Sequence, residues 1–362
     1  MDEEILVNLT YLSIANDIRK ELFYKLRSDK KLDFKYKDKK FLSKDVDVLM
    51  ANIMFSRDAD GHVVFPIIDS DNDYWKQVVA IKIKYMLKKA YQDESMDSYV
   101  IIVEKIFREQ YKKFERYLKE YKKNNQDKIM KVSVVNEKDM TVLTLNVVPE
   151  LHIIIPIAVY DKLKKWIVSD QLGNADKIIY LTMMRYDLIL NSKNHQLGID
   201  YDNNFDFEKS NGEHEKYTLN KFDVELFASP INRTLKEFCG AYPDIDKYYS
   251  GSLGSFFKYK LQSNKKYTMN PPYEEYLMTR AMKQIISDME KVTNIEIFIT
   301  IPDWSYNRTT GADNPYETYD IIKDNKHILL IHKDKRENYH YFDHLERKFK
   351  NVSDTIHIVL RV

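Results

Sequence analysis

One cysteine, eight glycines and no long apolar run set the first limits on this chain of 362 residues. The lone Cys239 excludes a disulfide framework and a cysteine zinc cluster, and it reads as a small buried hydrophobe in a helix. No run of about 18 apolar residues is present to span a membrane. The start Met1-Asp2-Glu3-Glu4 is acidic where a secretory leader is basic. Both features point to an intracellular protein, nuclear or cytoplasmic, that is neither secreted nor membrane-bound. A surplus of charge of one sign is lacking too. Lys+Arg total 57 against 56 Asp+Glu, a net +1, so any surface for a polyanion has to be local. Scarce glycine leaves little room for flexible linkers, and the phosphate-cradling G-x-G-x-x-G is absent. The nine histidines are scattered, with no pair at metal-ligand spacing within a helix, so no metal is expected. Asp69-Ser70-Asp71-Asn72-Asp73 has the look of a calcium loop, but Tyr74 and Ala80 stand where glycine and glutamate belong. Asp73 reads as a helix N-cap instead.

What the chain has is aromatic surface, 13% of its residues, which supplies a core and faces for stacking. Its length suits one large domain or two, and the hydrophobic periodicity divides it into a mainly helical part, 1–150, and an α/β part, 151–362. Apolar residues repeat at three and four over 9–26, 74–91 and 96–121. In the last of these, Phe107, Tyr111, Phe114, Leu118 and Tyr121 form one stripe, and lysines and arginines crowd the other faces. Glutamates at helix-pair spacing make a solvated face the plain account. A rail for a phosphate backbone, extended by 35–40, is the sharper one. Segments 130–135 and 141–147 then alternate like a hairpin belonging to the same part. Helices are expected at 160–168 and 178–190, and a polar loop at 191–220.

The second part opens with Val224-Glu225-Leu226-Phe227-Ala228-Ser229-Pro230, a short apolar strand running into a turn. A short helix is expected at 232–238 and a turn at 239–249. A small-residue segment, 250–255, leads into a strand ending at Asn270. Beyond it come an amphipathic helix at 274–290, a buried strand at 295–301, and closing strands at 328–332 and 355–362. The residues between the strand and the first of these helices are Asn270-Pro271-Pro272-Tyr273, and they carry the chemistry. An exocyclic amine on a base is a poor nucleophile because its lone pair is conjugated into the ring. The side-chain oxygen of Asn270 and the carbonyl of Pro271 can each accept one N–H of such an amine, drawing it toward tetrahedral geometry and freeing the lone pair. Pro271 and Pro272 fix φ, so the acceptors stand on a stiff turn. Tyr273 offers a flat face for the base. A loop at a strand's carboxyl end, followed by helix and strand, is where open α/β sheets bind ligands. A carboxylate some 20 residues past the first strand of such a sheet holds ribose hydroxyls, and Asp244 and Asp246 are the candidates.

Five segments fall in one order: Phe227-Ala228-Ser229-Pro230-Ile231-Asn232, Phe238-Cys239-Gly240-Ala241-Tyr242-Pro243-Asp244, Tyr249 with Gly251-Ser252, Asn270-Pro271-Pro272-Tyr273, and Ile299-Thr300-Ile301-Pro302-Asp303-Trp304. Together they resemble the cap-specific adenosine N6-methyltransferases, the phosphorylated-CTD-interacting factor family, over about 224–304. The resemblance implies a Rossmann-like class I fold dependent on S-adenosylmethionine, with an appended helical domain. It implies as substrate the 5′ end of capped mRNA, with methyl transfer to N6 of the cap-adjacent adenosine, often already 2′-O-methylated. Asn270 and Pro271 would hold the amine, and Tyr273 would stack the adenine where animal members have phenylalanine. Phe227, Ala228, Ser229, Pro230 and Asn232 would lie along the methyl donor, and Glu275, Arg185 and Trp304 would lie on the substrate side. Animal members begin with a WW domain. Trp75, Trp166 and Trp304 lie too far apart to form one, so recruitment to polymerase tails by that route is not expected. Methylation of adenine in DNA or internal RNA, and a non-catalytic RNA-binding subunit that keeps the fold, are the competing readings.

Overall fold

A computed structural model of the chain describes residues 2–28, 46, 50, 96–126, 129–147, 150–190, 196–199, 205–208, 214–305 and 316–362. The readings at 35–40, at Asp69 to Asp73 and at 74–91 lie outside them. Two compact units divide the described residues. One takes those up to Ile157 together with 174–190, and the other takes Ala158–Gly173 and the residues from 196 onward.

In the first unit, helix α1 (Asp2–Ser28) turns Ile5, Leu9, Ile18 and Leu22 into the interior. The expected single helix over 96–121 is two, α2 (Met96–Tyr111) and α3 (Phe114–Asn124), because the Lys113 N–H turns back to the Gln110 carbonyl and tightens the last turn. Helix α3 buries none of its side chains. It meets α1 through polar contacts: Tyr117 donates to Asp17 at 2.7 Å, Lys113 pairs with the same carboxylate, and Lys122 pairs with Glu3. Part of the basic rail is thus spent inside the unit. The expected hairpin forms as β1 (Val132–Glu137) and β2 (Met140–Leu145), and a third strand, β3 (Leu151–Pro156), extends it.

Helix α4 (Ile157–Trp166) falls almost wholly in the second unit, and α5 (Ala175–Leu190) returns to the first. The polar stretch 191–220 is not simply a loop. It contains β4 (Leu197–Ile199) and the pair β5 (Phe205–Glu208) and β6 (His214–Tyr217), where Phe207 and Tyr217 pack under the main sheet against Phe298. One buried aromatic per short strand is too weak a period to read from sequence.

The second unit is α/β, built on a mixed six-stranded sheet. Its members are β7 (Val224–Glu225), β8 (Glu237–Phe238), β9 (Lys266–Met269), β10 (Glu296–Pro302), β11 (Ile328–Asp334) and β14 (Thr355–Arg361), in the order β11-β14-β10-β9-β7-β8. Strands β8, β7, β9 and β10 run parallel, and β14 runs antiparallel to both β10 and β11. Every residue of β10 is buried, as the continuous apolar run requires of a central strand. Helix α6 (Glu275–Met289) joins β9 to β10 and lays Met278, Met282, Ile285 and Met289 on the sheet. Helix α7 (Glu317–Ile322) precedes β11. Strands β12 (Tyr341–Asp343) and β13 (Lys348–Lys350) add to β4 as a small separate sheet.

No helix forms at 232–238. The Thr234 and Leu235 N–H groups donate to the Glu225 carboxylate, at 2.8 and 2.9 Å, instead of to carbonyls one turn back, and the segment ends in β8. Cys239 follows that strand, so it is buried as expected but not in a helix. Among the described residues no helix is long and apolar enough to cross a membrane.

Candidate active site

Chain order and sheet order disagree at β7. Its sequence neighbour β8 lies on one side and β9 on the other, so the chain switches direction there. Strands β7 and β9 are parallel, with Glu225 beside Thr268 and the Leu226 N–H donating to the Thr268 carbonyl at 2.8 Å. Just past these ends stand Phe227 and Asn270. They share a recess with Glu225, Thr268, Asn232 and the β4 residues Leu197, Gly198 and Ile199.

Of the Asn270-to-Tyr273 corner, Asn270 lines this recess. Asn270, Pro272 and Tyr273 are half-buried, and only Pro271 is fully covered. The Tyr273 hydroxyl donates to Asn270 Oδ1 at 3.2 Å, which fixes the direction of the amide. Edge-on contact with Tyr341, ring centroids 5.7 Å apart, holds the Tyr273 ring, and burial pushes its phenol well above the ordinary value. After the corner, Glu274 caps α6: its carboxylate accepts from the Leu277 N–H at 2.7 Å.

The facing wall is the loop 227–232. Ser229 Oγ accepts the N–H groups of Ile231 and Asn232 and lies 2.6 Å from Gln196 Oε1, while Asn232 donates to the Leu197 carbonyl at 3.0 Å. Ala228 donates to the Cys239 carbonyl, and Pro230 is buried. Of the loop's residues, Phe227 and Asn232 face the recess, and the rest hold its shape.

Glu225 anchors this wall from below. Its carboxylate takes the Thr234 and Leu235 N–H groups and the Thr234 hydroxyl. Burial raises its pKa despite those bonds and the nearby charge of Lys162. Lys162 of α4 donates to the Ile231 carbonyl at 2.8 Å and to His344 Nδ1 at 3.0 Å. Burial lowers its pKa to about 8, with Arg233 and Arg347 adding to the shift and Glu225 opposing it. Burial, with Lys162 beside it, lowers His344 to about 3. The imidazole is therefore neutral, accepting at Nδ1 and carrying its proton on Nε2. His344 contributes stability that is complete above its ordinary value of 6.5 and is lost as pH falls toward 3, because only the unfolded chain takes up the proton in that window. Thermal melts of the wild type and of His344→Gln should therefore diverge less as the pH falls below 6.5, the wild type losing more. Parallel curves from pH 7 to pH 4 would contradict this.

The other candidates sit elsewhere. Asp246 is buried and accepts from the Tyr242 N–H at 2.9 Å. A Cβ on Gly240 would lie 2.4 Å from its carboxylate, so the Phe238-to-Asp244 segment needs glycine for that close approach. Asp244 is exposed. Glu275 accepts from the Glu317 N–H at the start of α7, and Trp304, beyond β10, packs against Tyr316 with ring centroids 5.8 Å apart. None of these four lines the recess. Arg185 belongs to the first unit, buried, donating to Asn8 Oδ1 at 2.6 Å. Sequence reasoning missed Glu225, Thr268 and the β4 residues. A charged residue inside the apolar Val224-to-Phe227 run was the one visible signal for Glu225.

A recess past the carboxyl ends of two parallel strands, at a switch point, lies where open α/β sheets bind ligands. Comparisons narrow the class. A profile described as the phosphorylated CTD interacting factor 1 WW domain matches residues 158–330, beginning where the second unit begins. Over 81 residues the chain is 32% identical to proteins named mRNA (2′-O-methyladenosine-N(6)-)-methyltransferase from Mus musculus and Homo sapiens. That stretch is 22% of this chain and 11% of each relative, so the chain matches only a small part of their length. The similarity is thus to that methyltransferase family, over part of the chain. The profile's description names a WW domain, which stands in tension with the expectation of no WW-mediated binding. Within the matched residues the tryptophans are Trp166, at the end of α4, and Trp304, beyond β10.

Proposed function

We propose that the second unit is a Rossmann-like class I methyltransferase that moves a methyl group from S-adenosylmethionine to N6 of the cap-adjacent adenosine of capped mRNA. The observation that carries it is Asn270 on the wall of the recess at the β7–β9 switch point, beside Phe227. The partial similarity to the cap methyltransferases supports the substrate. The recess offers the donor one fitting group, the Phe227 ring as a face for an adenine. When bound, the donor supplies an electrophilic methyl on a sulfonium.

The protein's part is positioning and polarisation. Asn270 Oδ1 has two lone pairs and spends one on the Tyr273 hydroxyl, which leaves one for an N–H of the target amine. The Pro271 carbonyl takes the second N–H. With both acceptors engaged the nitrogen lone pair is directed at the methyl carbon, and the extra amine proton leaves to solvent after transfer. A single-stranded 5′ end spares the cost of flipping a base out of a duplex.

Tyr273→Phe keeps the ring and removes one neutral hydrogen bond, about 0.5–1.5 kcal/mol. Its kcat/KM on capped RNA should stay within about tenfold of wild type, whereas Tyr273→Ala, which also loses the stacking face, should fall further. Equal losses in the two variants would mean the ring does not stack the base.

Substrate choice is tested with labelled methyl donor and capped RNA, uncapped RNA or duplex DNA, each beginning in A or in G. Label on capped A-start RNA alone is the expected result. Equal label on uncapped RNA or DNA would replace the cap-adjacent substrate by adenine in general. No label on any of them would favour a non-catalytic RNA-binding role.

A further inference from the structure

The small sheet β13-β12-β4 has one face on the core and one facing outward. Tyr341 and Asp343 of β12 are fully buried, and Tyr341 joins the aromatic cluster around Phe298. Phe342 lies between them and so points to the opposite face. It stands opposite Gly198 of β4 on one side and Phe349 of β13 on the other. The Phe342 and Phe349 rings are 5.3 Å apart, and Phe349 is 55% exposed. Gly198 continues the row, with the His344 ring packed over it 5.0 Å from the Phe342 ring, and lines the recess that holds Asn270. A strip of Phe349, Phe342 and Gly198 therefore runs in register from open surface to the wall of the candidate active site.

Charge accompanies the rings. Arg347, in the turn between β12 and β13, places its guanidinium 5.8 Å from the centroid of Phe342. It has no carboxylate partner among the described residues, whereas Lys348 is paired with Glu346 and Lys350 with Asp343. Its charge is felt inward at Lys162 and His344, which lie against the recess wall. An exposed aromatic face beside a free guanidinium is suited to an unpaired base and its phosphate.

We propose that this strip is a second binding site for single-stranded RNA, in which a nucleobase of the strand whose target adenosine enters the recess stacks on Phe349, with Arg347 on the intervening phosphate. The proposal rests on reading the recess as a site of RNA methyl transfer. It is tested by fluorescence anisotropy with a labelled, capped, A-start single-stranded RNA and the full chain. Phe349→Ala, and equally Phe349→Leu, which keeps apolar contact with Phe342 but has no π-face, should each weaken binding about tenfold, within the worth of one base–aromatic stack. Arg347→Ala should weaken it and flatten its salt dependence.

Wild-type affinity in both Phe349 variants would overturn the proposal, as would a wild-type protein that binds no RNA. If Phe349→Ala weakens binding while the wild type transfers no methyl, the strip stands and the proposed reaction falls. If methyl is transferred and both Phe349 variants bind normally, the reaction stands and the strip falls.

Discussion

Replacing Asn270 with alanine lowers methyl transfer by roughly 100- to 1,000-fold, the cost of losing one preorganised polar group at a reacting centre. In the proposed reaction the amide is one of two acceptors that polarise the target amine, and no other side chain of the recess lies next to it on the same corner. Thr268 and Glu225, the nearest polar neighbours in the parallel strands, are engaged with the sheet and the 234–235 turn. Donor binding survives, because the Phe227 ring, on another strand's end, is untouched. Single-turnover transfer together with calorimetric titration of S-adenosylhomocysteine separates the two effects. Lost donor affinity in this variant would make Asn270 a cofactor residue and not a catalytic one.

The second large effect is on stability. Glu225→Ala strips the acceptor from two N–H groups and one hydroxyl at 2.8 to 2.9 Å and leaves them under cover. It also removes the opposite charge from the buried Lys162. Donors stripped of their acceptor cost about 1–3 kcal/mol each. These overlap, so a loss of about 2–4 kcal/mol is expected, a large share of the roughly 5–15 kcal/mol that holds a domain together. The 227–232 wall rests on the same turn, so donor affinity falls with stability. Denaturant unfolding at the wild-type midpoint would show that the carboxylate does not anchor the wall.

The strongly periodic parts of this chain were legible and the local knots were not. Helix α6, β10 and β14 announce themselves because their apolar residues repeat at one period over seven or more positions. Strands β7 and β8 are two residues each, too short for any period, and the 232–238 helix was misread because a distant carboxylate captured its N–H groups. The Asn270-to-Tyr273 corner stands out in the sequence because proline stiffens it locally, whatever the tertiary structure does. The wall facing it was only half legible. Phe227 and Asn232 lie in a recognisable segment, whereas Leu197, Gly198 and Ile199 come from a polar stretch whose only order is pairing with β12. Asp244 and Asp246 were proposed from spacing alone, and spacing does not reveal that one carboxylate is folded against Gly240 and the other faces solvent.

The most direct test is the position of the methyl group. Capped A-start RNA treated with the protein and S-adenosylmethionine, then digested to nucleosides, is resolved by mass spectrometry. The expected product is a first adenosine methylated at N6, formed by the wild type and missing with Asn270→Ala. A methyl on the ribose oxygen or the cap guanine, or an N6 product made equally well without Asn270, would contradict the account of a proline corner that frees an amine lone pair.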